Sequence, residues 1–526
     1  MLGSDSLDLD GATRAIDKAS GIIEAATEAL RKHSNGGAHL DDHQVLAYDL
    51  AHAASGLETA RALVDYGRHG ELEEQMAAVF AGDVVCDLVG RTAGREALWS
   101  AAPGWQSDIC GFLDAARDPE TLAGLAEKPG PVHLDKDFEL VRDAFHRFAL
   151  DKIAPLAGQI HRHNSDIPEN VIGGLASMGA FGLSVPEAYG GFATGSHNDF
   201  LGMVVATEEL SRASLGAGGA LITRPEILTR ALMNGGTEEQ RARLLPKIAS
   251  GEAMVAVAVT EPDYGSDVAA LSVTALPADG GGYLVNGVKT WCTFAARADV
   301  LMLLARTDPD RSSGHRGLSL FVVEKRQSDS GGFILTQDDP GRPDGLAPGR
   351  LEGRPIDTLG YRGMHSYELA FENWWVDGAN LIGGEEGLGK GFYLQMQGFE
   401  TGRLQTAARA VGVMQAAYES ALSYARSRVA FGHPIIDYQL SRAKLGRMAL
   451  LIQAGRQMAY KVAAMMAAGT GSLQASMVKA YVCRAAEWVT REAMQLHGGM
   501  GYAEELEVSR LFVDARVLSI FEGADE

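Results

Sequence analysis

The stretch MVAVAVTEPDYGSD, residues 254–267, decides the fold. Up to Gly251 the apolar residues recur at helical spacing, and at Met254 the period changes to that of a strand, which then runs into a loop marked by Pro262 and Gly265. Downstream, SVTALPADGGGYLVNGVKTW (272–291) sets two β-rich segments around a Gly-rich turn. DVLMLLART (299–307), GLSLFVVEK (317–325) and SYELAFENWWV (366–376) continue the pattern. The strands fall in one block, residues 252–378, and do not alternate with helices, which argues against a doubly wound nucleotide fold.

Working outward, both flanks read as helical. Upstream, TEEQRARLLPKI is a helix opened by the Thr237 cap, and Pro186 to Gly191 is an internal loop. Lys128-Pro129-Gly130-Pro131 breaks any helix, because proline lacks a backbone donor and biases its predecessor out of the α region. Before that break, Leu46, Leu50, Ala53, Leu57, Ala60 and Val64 lie on one helical stripe, as do Ile16, Ile23, Ala26 and Leu30. After Gly391, Val411, Met414, Tyr418, Ala421 and Ala425 form another. The expected chain is mainly α with a central β domain: an extra amino-terminal helical domain (1–128), a helical domain (135–251), the β domain (252–378) and a carboxy-terminal helical bundle (379–526).

Composition removes several function classes. At roughly 150 residues per domain, 526 residues suggest three or four domains. The 46% hydrophobic and 22% charged content is ordinary for a globular chain, so disorder and fibrous repeats are excluded. A net charge of -21 repels phosphate backbones and anionic lipid, and no basic patch offsets it, so neither nucleic acid nor a membrane surface is expected as partner. Cys86, Cys110, Cys292 and Cys483 lie far apart without a C-x-x-C pair, which fits a reducing cytoplasm and no metal. No apolar run approaches the roughly 18–20 residues of a membrane span, and the acidic start is unlike a signal peptide.

Familiar catalytic patterns fail in detail. Gly384 to Lys390 imitates a P-loop, yet Gly391 stands where Ser or Thr must hold magnesium. Ser214 lacks the first glycine of a nucleophile elbow and reads as a helix-end residue. His161 and His163 are only a pair, and no H-E-x-x-H occurs. Three segments remain. Val257 to Asp267 by itself is a strand and a turn; Trp291-Cys292-Thr293 by itself is a core tryptophan on a strand. Gln495 to Tyr502 is a Gly-rich loop, and Phe521-Glu522-Gly523 near the end offers a glutamate that, alone, is most simply solvated.

Their order and spacing resemble the acyl-CoA dehydrogenase family. Its motifs V-T-E-P-x-x-G-S-D, W-I-T, R-x-x-F-G, a glutamine eleven residues on, G-G-x-G and Y-E-G correspond to Val259 to Asp267, Trp291 to Thr293, Arg428 to Gly432, Gln439, Gly498 to Gly501 and Phe521 to Gly523. The resemblance covers residues 135–526. It implies FAD as cofactor, an acyl-CoA thioester as substrate and an electron-transfer flavoprotein as acceptor. Val257, Val259, Thr260, Gly265, Ser266, Trp291 and Thr293 would meet the flavin. Arg428, Phe431, Gln439, Gln495, His497, Gly498 and Gly499 would reach it from a neighbouring subunit, so a homo-oligomer, with a dimer favoured, is expected.

By the same resemblance Glu522 is the catalytic base, and Gly402 stands where a minority of the family carries that glutamate. Ser266, Glu400, Arg403 and Gly523 match substrate positions. Segments such as LETARAL, LGYRGM, RLQTAARA and IFEGA are similar to members acting on methylsuccinyl-CoA, whose acyl group ends in a carboxylate. Thr223 and Arg224 align with the acyl-pocket stretch, where an arginine beside plain hydrocarbon would be out of place; its alternative is a surface arginine at a helix start. Val429-Ala430 departs from the polar pair usual in R-x-x-F-G, and the family continues into a further helix beyond the position of Glu526. An acyl-CoA oxidase would share every motif, and a non-catalytic acyl-CoA-binding protein would have no need of Glu522.

Overall fold

The computed structural model describes residues 7–196, 198–278, 281–337 and 342–526. Its helices are α1 (Leu9–His33), α2 (Gln44–Tyr66), α3 (Glu71–Thr92), α4 (Cys110–Ala116), α5 (Pro119–Ala123), α6 (Lys136–Phe148), α7 (Ala154–His163), α8 (Glu169–Ser177), α9 (Asp199–Ala213), α10 (Thr223–Gly235) and α11 (Glu238–Ala249), then α12 (Gly391–Ser427), α13 (Gln439–Ala467), α14 (Ser472–Leu496) and α15 (Glu507–Leu518). The chain divides into two compact units, Met1–Leu140 with Thr406–Glu526, and Val141–Gln405. No helix among the described residues is long and apolar enough to cross a membrane.

In the first unit α2 packs on α1, α3, α13 and α14, so the extra amino-terminal helices and the carboxy-terminal bundle share one core. Leu46, Leu50, Ala53, Leu57 and Ala60 are buried as the spacing predicts, whereas Val64 is half-buried and Leu63 takes the inward place. On α1, Ile16, Ala26 and Leu30 are buried and Ile23 only half so. The stripe from Val411 to Ala425 on α12 is buried throughout. The Lys128 to Pro131 break is pinned by side chains: the Tyr418 hydroxyl donates to the Ala126 carbonyl at 2.9 Å, and the Tyr66 hydroxyl and Gln453 Nε2 donate to the Pro131 carbonyl at 2.9 and 2.8 Å.

The second unit is built on the sheet of β1 (Val255–Ala258), β2 (Thr274–Pro277), β3 (Tyr283–Lys289), β4 (Val300–Arg306), β5 (Leu318–Glu324), β6 (Phe333–Gln337), β7 (Gly349–Ile356) and β8 (Ser366–Val376). The order is β1-β4-β2-β3-β8-β7-β6, with β5 beside β4; β1 and β4 run parallel, and β2–β3, β3–β8, β4–β5, β6–β7 and β7–β8 antiparallel. Strand β4 lacks polar alternation because both its faces are covered. Leu301, Leu303 and Ala305 enter one core with Phe321 and Trp374, while Val300, Met302 and Leu304 enter another with Leu228, Leu232 and Leu245 of α10 and α11. Thr237 makes the expected cap in full: its hydroxyl accepts from the Gln240 N–H, and Gln240 Oε1 accepts from the Thr237 N–H. The chain is thus mainly helical around a central β block.

Candidate functional site

In the second unit the loop after β1 is set by a buried ion pair. Lys289 Nζ, on β3, donates at 2.8 Å both to Glu261 Oε1 and to the Val259 carbonyl. Glu261 also accepts from the Ser272 N–H and hydroxyl and from the Val273 N–H. Burial alone would raise the Glu261 carboxyl, but Lys289 and these donors hold it below its ordinary value; burial pulls the Lys289 ammonium below its own, against Glu261. A backbone bond of 2.8 Å from Thr290 to the Thr260 carbonyl joins this loop to the W-C-T segment.

Trp291 is not a core strand residue. It follows the end of β3, adopts φ +58° and is 55% exposed, because the chain reverses there to pair Cys292 with Tyr367. Cys292 is buried instead, which pushes its thiol up to about 12 and leaves it inert. The Thr293 hydroxyl lies 3.0 Å from that of Ser366. Val259 is buried, Val257 and Thr260 are half-buried, and Gly265 and Ser266 are exposed. An exposed indole between Thr290 and Thr293, on a segment bonded through Thr290 to the hydroxyl-bearing loop after β1, fits a flat cofactor with polar edges, as FAD requires.

On α10, Thr223 and Arg224 are buried, so the surface alternative for Arg224 is set aside. Arg224 Nη1 donates to the Ala220 carbonyl at 3.1 Å, and the guanidinium carbon lies 5.9 Å from the Tyr361 ring centre. No carboxylate among the described residues pairs with it. Two residues on, Glu226 is buried with Arg230 Nη2 3.5 Å away, and burial pushes its carboxyl up to about 7 against the pull of Arg230. Glu400 and Arg403 are half-buried, one turn apart on α12, and Gly402 between them is buried.

In the first unit β9 (Val429–Ala430) pairs with β10 (His433–Pro434) in a hairpin whose tip, Phe431 at φ +53° and Gly432 at +89°, needs left-handed backbone at both places. The hairpin holds Phe431 97% exposed, and Arg428 and Gln439 are exposed too. Gln439 Nε2 donates to Glu120 Oε1. His497 is turned inward: its Nδ1 lies 2.8 Å from the Ala493 carbonyl and its ring stacks on Tyr424 at 4.3 Å. Tyr424 also accepts the Arg428 N–H, so the G-G-x-G loop and the hairpin stand side by side, with Gln495, Gly498 and Gly499 left exposed.

Glu522 is half-buried, with Oε2 buried and without a hydrogen-bond partner, and it adopts φ +55° before Gly523 at +101°. A non-glycine residue in that region, aiming an orphaned carboxylate oxygen, is what a solvated terminal glutamate would not show. The Glu261–Lys289 pair is the feature that pattern reading missed. Its signal was a lysine closing β3, where only Val285 and Lys289 turn inward. Among the described residues no cluster of His, Cys, Asp and Glu could hold a metal ion.

The acyl-CoA dehydrogenase N-terminal, middle and C-terminal domain models match residues 135–252, 256–374 and 389–526. The chain is 36% identical over 544 residues to (2S)-methylsuccinyl-CoA dehydrogenase of Cereibacter sphaeroides, covering 98% of this chain and 95% of that one. Two solved structures, one described as the electron transferring flavoprotein of Acidaminococcus fermentans and one as glutaryl-coenzyme A dehydrogenase with glutaryl-CoA, each share 30% identity and a TM-score of 0.67 over 75% of this chain and 96% and 94% of theirs. With its three matched domains and its loop, hairpin and glutamate in family order, the chain belongs to the acyl-CoA dehydrogenase family of FAD-dependent oxidoreductases.

Proposed function

We propose that the chain dehydrogenates a short branched acyl-CoA whose acyl group ends in a carboxylate, converting (2S)-methylsuccinyl-CoA to mesaconyl-CoA in the ethylmalonyl-CoA pathway. A hydrogen α to a thioester carbonyl is weakly acidic, so its removal near neutral pH needs an oriented carboxylate. Glu522 is that base: its orphaned Oε2 has no competing donor among the described residues. The carbonyl needs a donor as enolate character develops, and the backbone N–H of Glu522 serves there. Bound FAD supplies the two-electron sink. Thr260, Ser266 and Thr293 meet its polar edges and Trp291 its face; Arg428, Phe431, Gln439 and the loop from Gln495 to Gly499 serve a neighbouring copy. Glu400 and Arg403 meet the CoA portion.

Arg224 carries the substrate choice. Burying a carboxylate is costly unless a cation or several donors meet it. Among the described residues this buried guanidinium has one carbonyl partner and no counter-ion, and the buried Thr223, whose hydroxyl donates to the Gly219 carbonyl at 3.4 Å, precedes it in the chain. Its fork can take a carboxylate through two parallel hydrogen bonds. Relatives acting on methylsuccinyl-CoA and glutaryl-CoA, both with terminal carboxylates, support this choice. An electron-transfer flavoprotein is the proposed acceptor. Arg224→Met is expected to lose at least about 100-fold in kcat/KM on methylsuccinyl-CoA, the cost of leaving that carboxylate unpaired, while gaining relatively on 2-methylbutyryl-CoA. Equal effects on both thioesters would remove Arg224 from substrate recognition.

A further inference from the structure

The turn that carries Glu522 is conformationally costly. Glu522 and Gly523 are consecutive left-handed residues, and for glutamate that backbone is unfavourable unless neighbours enforce it. Both arms of the turn are held. Before it, Phe521 lies under the Arg409 guanidinium, 4.8 Å from ring centre to carbon. After it, Lys479 of α14 donates to the Gly523 carbonyl, and the Asp525 N–H returns to the Ser519 carbonyl at 3.1 Å.

The Asp525 side chain is then taken up by α2 and α14. The Tyr48 hydroxyl donates to its Oδ2 at 3.3 Å, His52 Nε2 lies 3.5 Å from the same oxygen, and Arg484 Nε of α14 is 3.8 Å away. Tyr48 and His52, one turn apart on α2, pack edge to face at 4.4 Å, and Arg484 lies over the Tyr48 ring. The side chains of His52 and Asp525 are only 6% and 11% exposed. Burial and then Arg484 lower the His52 imidazolium below its ordinary value, against Asp525, with Arg91 and Asp49 as the further charged neighbours. Tyr48, raised by burial, keeps its proton near neutral pH and donates it to Asp525.

We propose that Tyr48 and His52, with Arg484, are positioning residues for the reaction: they clamp Asp525 and so keep the Glu522–Gly523 turn in its left-handed form, which gives α2, outside all three matched family domains, a part in aiming the base. The clamp is a structural claim about residues 519–526; its catalytic consequence rests on the reading of Glu522 as base.

The experiment compares the FAD-loaded full chain with Asp525→Ala, Tyr48→Phe and Glu522→Gln, the second removing one hydrogen bond without truncating the turn. Three quantities are read: hydrogen exchange of residues 519–526, the rate of flavin bleaching by methylsuccinyl-CoA, and the affinity for a thioether analogue whose thioester carbonyl is replaced by methylene. Asp525→Ala is expected to speed exchange at least about 10-fold through local opening. It should slow bleaching on the order of 10- to 100-fold, with FAD content and analogue affinity within about 2-fold. Tyr48→Phe should shift exchange and bleaching the same way by a smaller factor.

Unchanged exchange in Asp525→Ala overturns the clamp whatever Glu522 does. Faster exchange with unchanged bleaching overturns the positioning role alone, and so does a loss of rate that merely follows a loss of FAD or of analogue binding. Normal bleaching by Glu522→Gln overturns the base reading and with it the positioning role, while exchange still judges the clamp.

Discussion

Glu522 concentrates the account at the scale of one residue: a glutamate in left-handed backbone with one carboxylate oxygen buried and unpaired. Replacing it by glutamine keeps its size and removes its basicity. Glu522→Gln is expected to retain FAD and bind substrate while losing at least about 1000-fold in the rate of flavin bleaching, as followed by stopped-flow absorbance. A second residue sets a pH signature. Because burial raises Glu226 from its ordinary value to about 7, the folded chain binds this proton more tightly than the unfolded chain does. Stability from this group is therefore present at low pH and is lost as pH rises towards 7 and beyond, by up to about 3 kcal/mol. Denaturant titrations at pH 5 and pH 8 should show that fall, and Glu226→Gln should flatten it. Neither property was legible in the sequence. A left-handed φ at glutamate and the burial of a charge depend on what the tertiary structure places around them, and pattern reading sees only that the residue type is usually exposed.

Elements were more legible, since hydrophobic period follows from which faces are covered. The strands from MVAVAVT, LVNGVK, DVLMLLART, GLSLFVVEK and SYELAFENWWV appear where the period changes, and the Thr237 cap and Lys128–Pro131 break hold. Strands β6 and β7 escaped because FILTQ and GRLEGRPI alternate with Thr, Gln, Glu and Arg on an open face and include glycine and proline. Trp291 was misread as core because a strand pattern does not announce the reversal that follows it. The element-level test is the Glu261–Lys289 pair that ties the loop after β1 to β3. Lys289→Met leaves the buried Glu261 carboxylate without its counter-ion, held only by Ser272 and Val273, and is expected to destabilise the second unit by about 3 kcal/mol, seen as a lower Tm and weaker FAD retention. Adding Glu261→Gln should restore part of the loss, because the orphaned charge is then gone.

At the scale of the whole molecule, the first unit presents large apolar side chains to solvent: Phe431 is 97% exposed, Tyr502 83% and Leu440 70%. Side chains of that kind gathered on the hairpin, the G-G-x-G loop and the start of α13 are suited to a second copy of the chain. Phe431→Asp is accordingly expected to shift light scattering from oligomer to monomer and to lower FAD occupancy in the same preparation; a monomer with full FAD would contradict the shared site.

The central claim, dehydrogenation of an acyl-CoA whose far end is charged, is tested most directly by the flavin itself. Purified holoenzyme is mixed without oxygen with (2S)-methylsuccinyl-CoA or with 2-methylbutyryl-CoA, an uncharged thioester of similar size, and the flavin absorbance is followed. Rapid bleaching is expected with the dicarboxylic thioester and at least about 100-fold slower bleaching with the uncharged one, given what an unmet polar partner in a buried site costs. Equal bleaching by both, or none by methylsuccinyl-CoA, would contradict it.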